Sequence, residues 1–197
     1  EGQETLRRLR PEGLAPPPGW TALSPRDITR PQDAAVFFYR PSLRLAPGFW
    51  GPLTGRLAAR DMAPRLTAPL HGAPAVWLPG DDTLLLHREL REALAEAGLS
   101  PLQGPPAAGG TPPSGSDEIW AGRTPAFVLS VNLRGMDPEG RVFHCCRALG
   151  VPVALWFVDN PWHILSATRL PWWREAALFV TDASFIGGLR AAGARGV

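Results

Sequence analysis

The chain has 197 residues, of which 45% are hydrophobic, and a formal net charge of only +2. That is enough apolar material for the core of one domain carrying an extension. All twenty basic residues are Arg, but no Arg cluster forms a stripe with interleaved aromatics, and no apolar run approaches a membrane span, so neither nucleic acid nor a transmembrane segment is expected.

Residues 1–33 are polar and rich in Pro and Arg and read as an extension. A short helix is predicted over 4–10, ended by Pro16-Pro17-Pro18. The domain is expected to span 34–197. It opens with the apolar run 34–39, whose residues 36–39 read as a first buried strand. Residues 47–60 have helical spacing, with Phe49, Leu53 and Leu57 on one face, although Pro52 interrupts the ladder. A second strand is expected at 75–78. A helix follows, capped by Asp81 or Asp82, with Leu86, Leu90, Ala93, Leu94 and Ala97 as its apolar face and Gly98 as its stop. Residues 100–117 are rich in Pro, Gly and Ser and read as a surface loop or flexible linker. Ile119-Trp120 reads as a last turn before the densest part of the chain.

That part is 126–165, AFVLSVNLRGMDPEGRVFHCCRALGVPVALWFVDNPWHIL. An apolar run, 127–131, stops at Asn132. A Gly-bearing turn leads to a helix over 138–149, and a second apolar run, 153–158, stops at Asp159-Asn160-Pro161. Strand, turn, helix, turn, strand at this spacing predicts a βαβ unit with parallel strands. A further strand at 178–181 and a helix over 183–192, capped by Asp182, complete the pattern. The expected fold is therefore α/β: a Rossmann-like parallel sheet with helices on both faces, since the strands are continuously apolar rather than alternating. Both cysteines, Cys145 and Cys146, are adjacent and lack disulfide or metal spacing. They read as small helix residues in a reducing compartment. No signal-peptide pattern opens the chain, and the expected location is cytoplasmic. The chain starts with Glu, not Met, which reads as a processed product or an excerpt.

In open α/β sheets, ligands bind at the carboxyl ends of the strands, so the polar residues there are the candidates for chemistry. Asp137, with Pro138 after it, reads first as a helix cap, and Gly135 as a tight turn. Asn132 reads equally as a turn residue and as a ligand contact. The densest polar group is Asp159-Asn160-Pro161-Trp162-His163. A carboxylate, an amide and an imidazole within five residues at a strand end suit general-base and hydroxyl-binding work. Asp159 follows the most apolar strand; partial desolvation there would favour its neutral form and suit a base. His163 is the alternative base. Trp172 and Trp173 read as buried against the sheet. Neither a dinucleotide-binding fingerprint, a Walker loop nor a nucleophile elbow is present. No other His or Cys has metal spacing, so no metal site is expected.

Three stretches, SVNLRGMDPEG, VPVALWFVDNPWHILS and LFVTDASFIGGLRAAGA, resemble the amino-terminal domain of CgeB-type (spore maturation protein-like) bacterial glycosyltransferases. The resemblance spans roughly the last 80 residues, with VDNPWH its most specific block; FYRPSLRLAPGFWGPL fits more loosely. That family is similar to GT-B glycosyltransferases, which have two Rossmann-like domains facing a cleft. The resemblance implies an acceptor-binding half, with a carboxyl-terminal donor domain expected beyond this chain. It implies a nucleotide sugar as donor substrate, bound mainly by that other half, and no cofactor or metal in this one. It also implies an unidentified sugar acceptor as partner, and an isolated chain that does not transfer sugar. The donor-binding E-x7-E pattern is absent from the domain 34–197; Glu89 and Glu96 miss its spacing. The catalytic candidates are Asp159 and His163, and the substrate-binding candidates Asn132, Gly135, Asn160 and Trp162. The competing expectations are a non-catalytic ligand- or protein-binding Rossmann-like domain and a small-molecule enzyme of another doubly wound type.

Overall fold

A computed structural model describes residues 47–66, 73–80, 82–104 and 123–197. Their elements, in chain order, are α1 (Pro47–Met62), β1 (Ala75–Pro79), α2 (His87–Glu96), β2 (Ser100–Gly104), β3 (Phe127–Val131), α3 (Arg141–Ala148), β4 (Val153–Phe157), α4 (Pro161–Leu165), β5 (Ala177–Val180) and α5 (Ser184–Ala191). A 3-10 turn, Pro171–Glu175, lies between α4 and β5. The predicted helix at 4–10, the strand at 36–39 and the Ile119-Trp120 turn fall outside the described residues.

The five strands form one sheet in the order β2-β1-β3-β4-β5, and every pairing is parallel. This is the expected α/β architecture. From β1 the chain steps outward to β2, whereas β3, β4 and β5 step the opposite way. Right-handed crossovers therefore put α2 on one face and α3 on the other. The order reverses at the β1/β3 boundary, the place where doubly wound sheets open a ligand crevice.

The α3 face holds the core. Trp77, Val128, Leu155, Phe157 and Leu178 from the sheet pack with Val142, Phe143 and Cys146 of α3, with Trp172 and Trp173, and with Leu189 of α5. Removing a Leu155- or Phe157-sized side chain from water contributes about 1.5–3 kcal/mol each. The helix α1 lies across α3. A Cβ at Gly55 would stand 2.6 Å from the Arg141 carbonyl oxygen, so the close approach of the two helices requires glycine at that position. Phe49 and Leu53 are buried as the spacing predicts, while Leu57 is exposed. Trp172 and Trp173 are both buried, also as expected.

Several boundaries differ from the sequence reading. Ser100–Gly104 is not loop but the edge strand β2, paired with β1 along its whole length. A proline, Pro101, fits there because an edge strand leaves one side of its backbone unpaired. The helix α2 does not start at the aspartates: Leu86 sits in the left-handed region at φ 67° as its N-cap. Asp82 instead accepts from Gln103 Nε2 at 2.6 Å and pairs with Arg91 at 2.9 Å, tying α2 to β2. On the predicted apolar face of α2, Leu90 and Leu94 are half-buried but Ala93 and Ala97 are exposed. The buried residue is His87, whose Nε2 donates to the Pro79 carbonyl at 2.8 Å. The helix α3 begins at Arg141, not at 138.

Candidate functional site

The carboxyl ends of β3, β4 and β5 lie on one rim and carry Asn132, Asp159-Asn160 and Thr181-Asp182. Asn132 and Leu133 both take left-handed backbone, at φ 49° and 60°. Asn adopts this region more readily than most residues; Leu does not, and its conformation stores strain. Three hydrogen bonds hold the bend. Ser130 Oγ donates to the Arg134 carbonyl at 2.7 Å, Arg134 N to Val131 O at 2.9 Å and Met136 N to Leu133 O at 3.0 Å.

The bend turns the Asn132 amide toward β4. Its Nδ2 donates to Asp159 Oδ2 at 2.6 Å, and its Oδ1 accepts from Val158 N at 3.1 Å. The Asn132 backbone N–H reaches Trp156 O at 2.9 Å. One side chain thus links the two strand ends and orients the carboxylate. Asp159 is exposed and Asn132 half-buried, so the desolvation expected at Asp159 has no structural basis. What remains is a hydrogen-bonded, solvent-facing carboxylate at a strand end.

The next residues build α4. Asn160 Oδ1 accepts from Trp162 N at 3.0 Å, an N-cap with Pro161 at the first helical position, where a missing N–H costs nothing. Its side-chain oxygen is therefore committed to the helix, leaving the Nδ2 donor for other work. Trp162 is 39% exposed, with one ring edge against Gly188 of α5. His163 is exposed in the last turn of α4. The structure thus gathers Asn132, Asp159 and Asn160 at adjacent strand ends, with Trp162 and His163 on the following helix.

Gly135 lies elsewhere on the rim, at φ 73°, where any Cβ would collide with the Pro79 ring. The β3–α3 loop is therefore seated on the end of β1, at the topological switch point itself. The chain fills with its own backbone the place where such sheets commonly admit a ligand.

Asp137 is a structural group. Its side chain is fully buried and its carboxylate receives Arg141 N at 3.0 Å, Arg141 Nε at 3.2 Å and Val142 N at 2.8 Å. It is not the N-cap that the sequence predicts, a position held by Gly140; its carboxylate reaches the first two backbone N–H groups of α3 from four residues before the helix. Arg141 also faces Glu139 at 3.8 Å, and Glu139 pairs with Arg169 at 3.2 Å. The sequence reading missed this chain of charges; its local signal was the Asp137–Arg141 spacing. Asp182 accepts from Ser184 N at 2.8 Å, and that bond, with help from the Ser184 hydroxyl, holds its carboxyl below the ordinary value.

Among the described residues, two of the concave regions lie away from this rim. One is a broad depression of about 740 Å³ on the sheet face that includes Leu129, Trp156 and Phe179. The other, about 370 Å³, is at the opposite end of the strands, beside Gly150, Glu175 and Arg195. Among the described residues no group of three His, Cys, Asp or Glu is placed to hold a metal ion, and no helix is long and apolar enough to cross a membrane.

Fold and rim together define a doubly wound, Rossmann-like α/β domain with its polar strand ends on one side. No family model matches the chain, and no curated protein or solved structure matches it.

Proposed function

We propose that this chain is the acceptor-side domain of a GT-B-like glycosyltransferase, acting with a donor-binding domain that is not part of it. The observation that carries this reading is the Asn132–Asp159 pair: an exposed carboxylate, oriented by an amide, at the carboxyl end of adjacent parallel strands. A general base for a sugar hydroxyl needs that combination of access and fixed orientation. Oδ2 is held by Asn132, so Oδ1 is the oxygen that takes the hydroxyl proton as the acceptor oxygen bonds to the anomeric carbon of the donor, while the bond from that carbon to the phosphate oxygen breaks and the nucleotide leaves with the electron pair. The Asn160 Nδ2 donor orients a neighbouring hydroxyl, and the exposed face of Trp162 offers a surface against which a pyranose ring stacks. His163 is the second candidate base. The nucleotide sugar is held by the opposite domain, and the proposed setting is the cytoplasm. The resemblance of the VDNPWH block to CgeB-type transferases supports the same reading.

The alternative is a non-catalytic ligand- or protein-binding domain. The Gly135–Pro79 contact at the switch point favours it, because that contact occupies the usual ligand crevice.

The test is turnover in a longer protein carrying both domains. Asp159→Asn keeps a carbonyl oxygen to accept from Asn132 and removes only the basic oxygen. It is expected to lower kcat at least 100-fold while Asp182→Asn stays within a few-fold, with both melting temperatures near that of the parent. Near-normal turnover of Asp159→Asn would overturn the reading. Residues 1–197 alone are expected to transfer no sugar.

A further inference from the structure

The strand β3 carries a hydroxyl on its buried side. Val128 and Ser130 are both 0% exposed, and Ser130 lies beside Leu155 of β4. A hydroxyl in such apolar surroundings costs stability unless it is hydrogen-bonded. Ser130 Oγ donates to the Arg134 carbonyl at 2.7 Å, a group four residues on, across the bend at Asn132-Leu133.

That bend is a turn of unusual composition. Arg134 N bonds Val131 O at 2.9 Å, and the two residues between them, Asn132 and Leu133, both have positive φ, 49° and 60°. This is the sign pattern of a type I′ turn, for which Asn-Gly is the favoured pair. Leu stands where glycine is favoured, and such a residue keeps its conformation only when the surroundings over-determine it. Two side chains do so beyond the backbone bonds. The Leu133 side chain packs against the core, and the Ser130 hydroxyl fixes the carbonyl on the far side of the turn. The turn in turn aims the Asn132 amide, whose Nδ2 donates to Asp159 Oδ2 at 2.6 Å. A buried hydroxyl thus acts on the rim without touching it.

We propose that Ser130 is a positioning residue for the Asn132–Asp159 pair: its hydroxyl offsets the left-handed strain at Leu133, and without it the turn relaxes and the Asn132 amide leaves the carboxylate. The consequence for catalysis rests on the transferase reading above; the positioning itself does not.

The experiment is NMR on the full chain, following two signals. One is the Asn132 side-chain amide, displaced from the position of a free Asn amide by its bond to Asp159. The other is the intraresidue HN–Hα NOE of Leu133, which is strong at positive φ. Ser130→Ala is expected to lose both the displacement and the strong NOE, whereas Asp182→Asn keeps both. Leu133→Gly supplies the favoured Asn-Gly turn, so it is expected to keep the displaced Asn132 signal and to restore it when combined with Ser130→Ala. A hydroxyl that only stabilises the core would lower the melting temperature of Ser130→Ala and leave both signals in place, which would overturn the proposal. Failure of the double variant to recover the displaced signal would overturn it too, and the double variant decides even where Ser130→Ala alone does not fold. So would loss of that signal in Leu133→Gly by itself, which would mean that the packing of Leu133 holds the bend. Turnover separates this proposal from the transferase reading: normal turnover of Asp159→Asn beside the expected losses in Ser130→Ala would sink that reading and leave this one standing.

Discussion

Asn132 and Asp159 meet across the ends of β3 and β4, with the Asn132 Nδ2 donating to Asp159 Oδ2 at 2.6 Å while the same side chain accepts from Val158 N. The contact joins the two strands of the central βαβ unit above their last ladder bonds. It depends on the left-handed backbone at Asn132, which aims the amide sideways toward β4.

Asn132→Ala is therefore expected to destabilise the domain. It removes both side-chain bonds, leaves the Val158 N–H without its acceptor, and puts Ala where Asn tolerates positive φ better. The expected loss is about 1–3 kcal/mol, read as a lower midpoint in urea at unchanged slope. Asn132→Asp should be worse than a neutral change of the same shape, because it sets a second carboxylate against Asp159, and the deficit should shrink at acid pH.

Asp137→Ala should be among the most damaging single changes in the chain. It would strip two backbone N–H groups of their acceptor and take from the buried Arg141 guanidinium one of its carboxylate partners, Glu139 remaining at 3.8 Å; each buried donor left unsatisfied costs about 1–3 kcal/mol. Asp137→Asn should cost less, since one oxygen remains to accept. Equilibrium denaturation of the two variants side by side checks the order.

Acid should weaken the fold through His144. Burial, then the nearby Arg147, pushes its pKa down to about 4 from 6.5, so the folded state holds it neutral. The unfolded chain takes up a proton below about pH 6.5 and the folded one only near pH 4. The stability linked to this group is thus fully present above pH 6.5 and is lost as the pH falls through that window. His144→Gln should flatten the dependence of the urea midpoint between pH 6.5 and 4. The depressed Asp182 carboxyl acts below its ordinary value of 3.8, so its acid loss lies in a lower range.

Gly135→Ala should shift the whole β3–α3 loop. It combines a left-handed φ with a collision against the Pro79 ring, and a strained non-Gly residue of this kind costs about 1–3 kcal/mol before the clash is counted. The signature is a lower melting temperature with perturbed amide resonances at both Pro79-flanking and loop positions.

The sequence carried the central unit well because its signals were local and unambiguous. Apolar runs ending at Asn132 and Asp159 marked β3 and β4, and the spacing between them fixed a crossover and hence a parallel pair. Ser100–Gly104 was missed because Ser-Pro-Leu-Gln-Gly has no β-branched or aromatic residue; only its position beside β1 makes it a strand. The start of α2 was misread because Asp82 resembles a cap, while its carboxylate bonds Gln103, a residue 21 positions away. At the site, the residues were legible from polar strand ends, but the Asn132–Asp159 bond and the exposure of Asp159 were not. Both follow from the bend at Asn132-Leu133, of which Asn132 gave a turn signal but Leu133, a residue poorly suited to positive φ, gave none.

The most direct measurement is saturation-transfer NMR on residues 1–197 with a panel of mono- and disaccharides and, separately, free nucleotide sugars. An acceptor-side domain should show saturation of at least one saccharide, reduced at least tenfold in Asn160→Ala and Trp162→Ala but retained in Asp182→Asn, with nucleotide signals weak or absent. Saccharide binding indifferent to Asn160 and Trp162, or nucleotide binding stronger than any sugar, would contradict it.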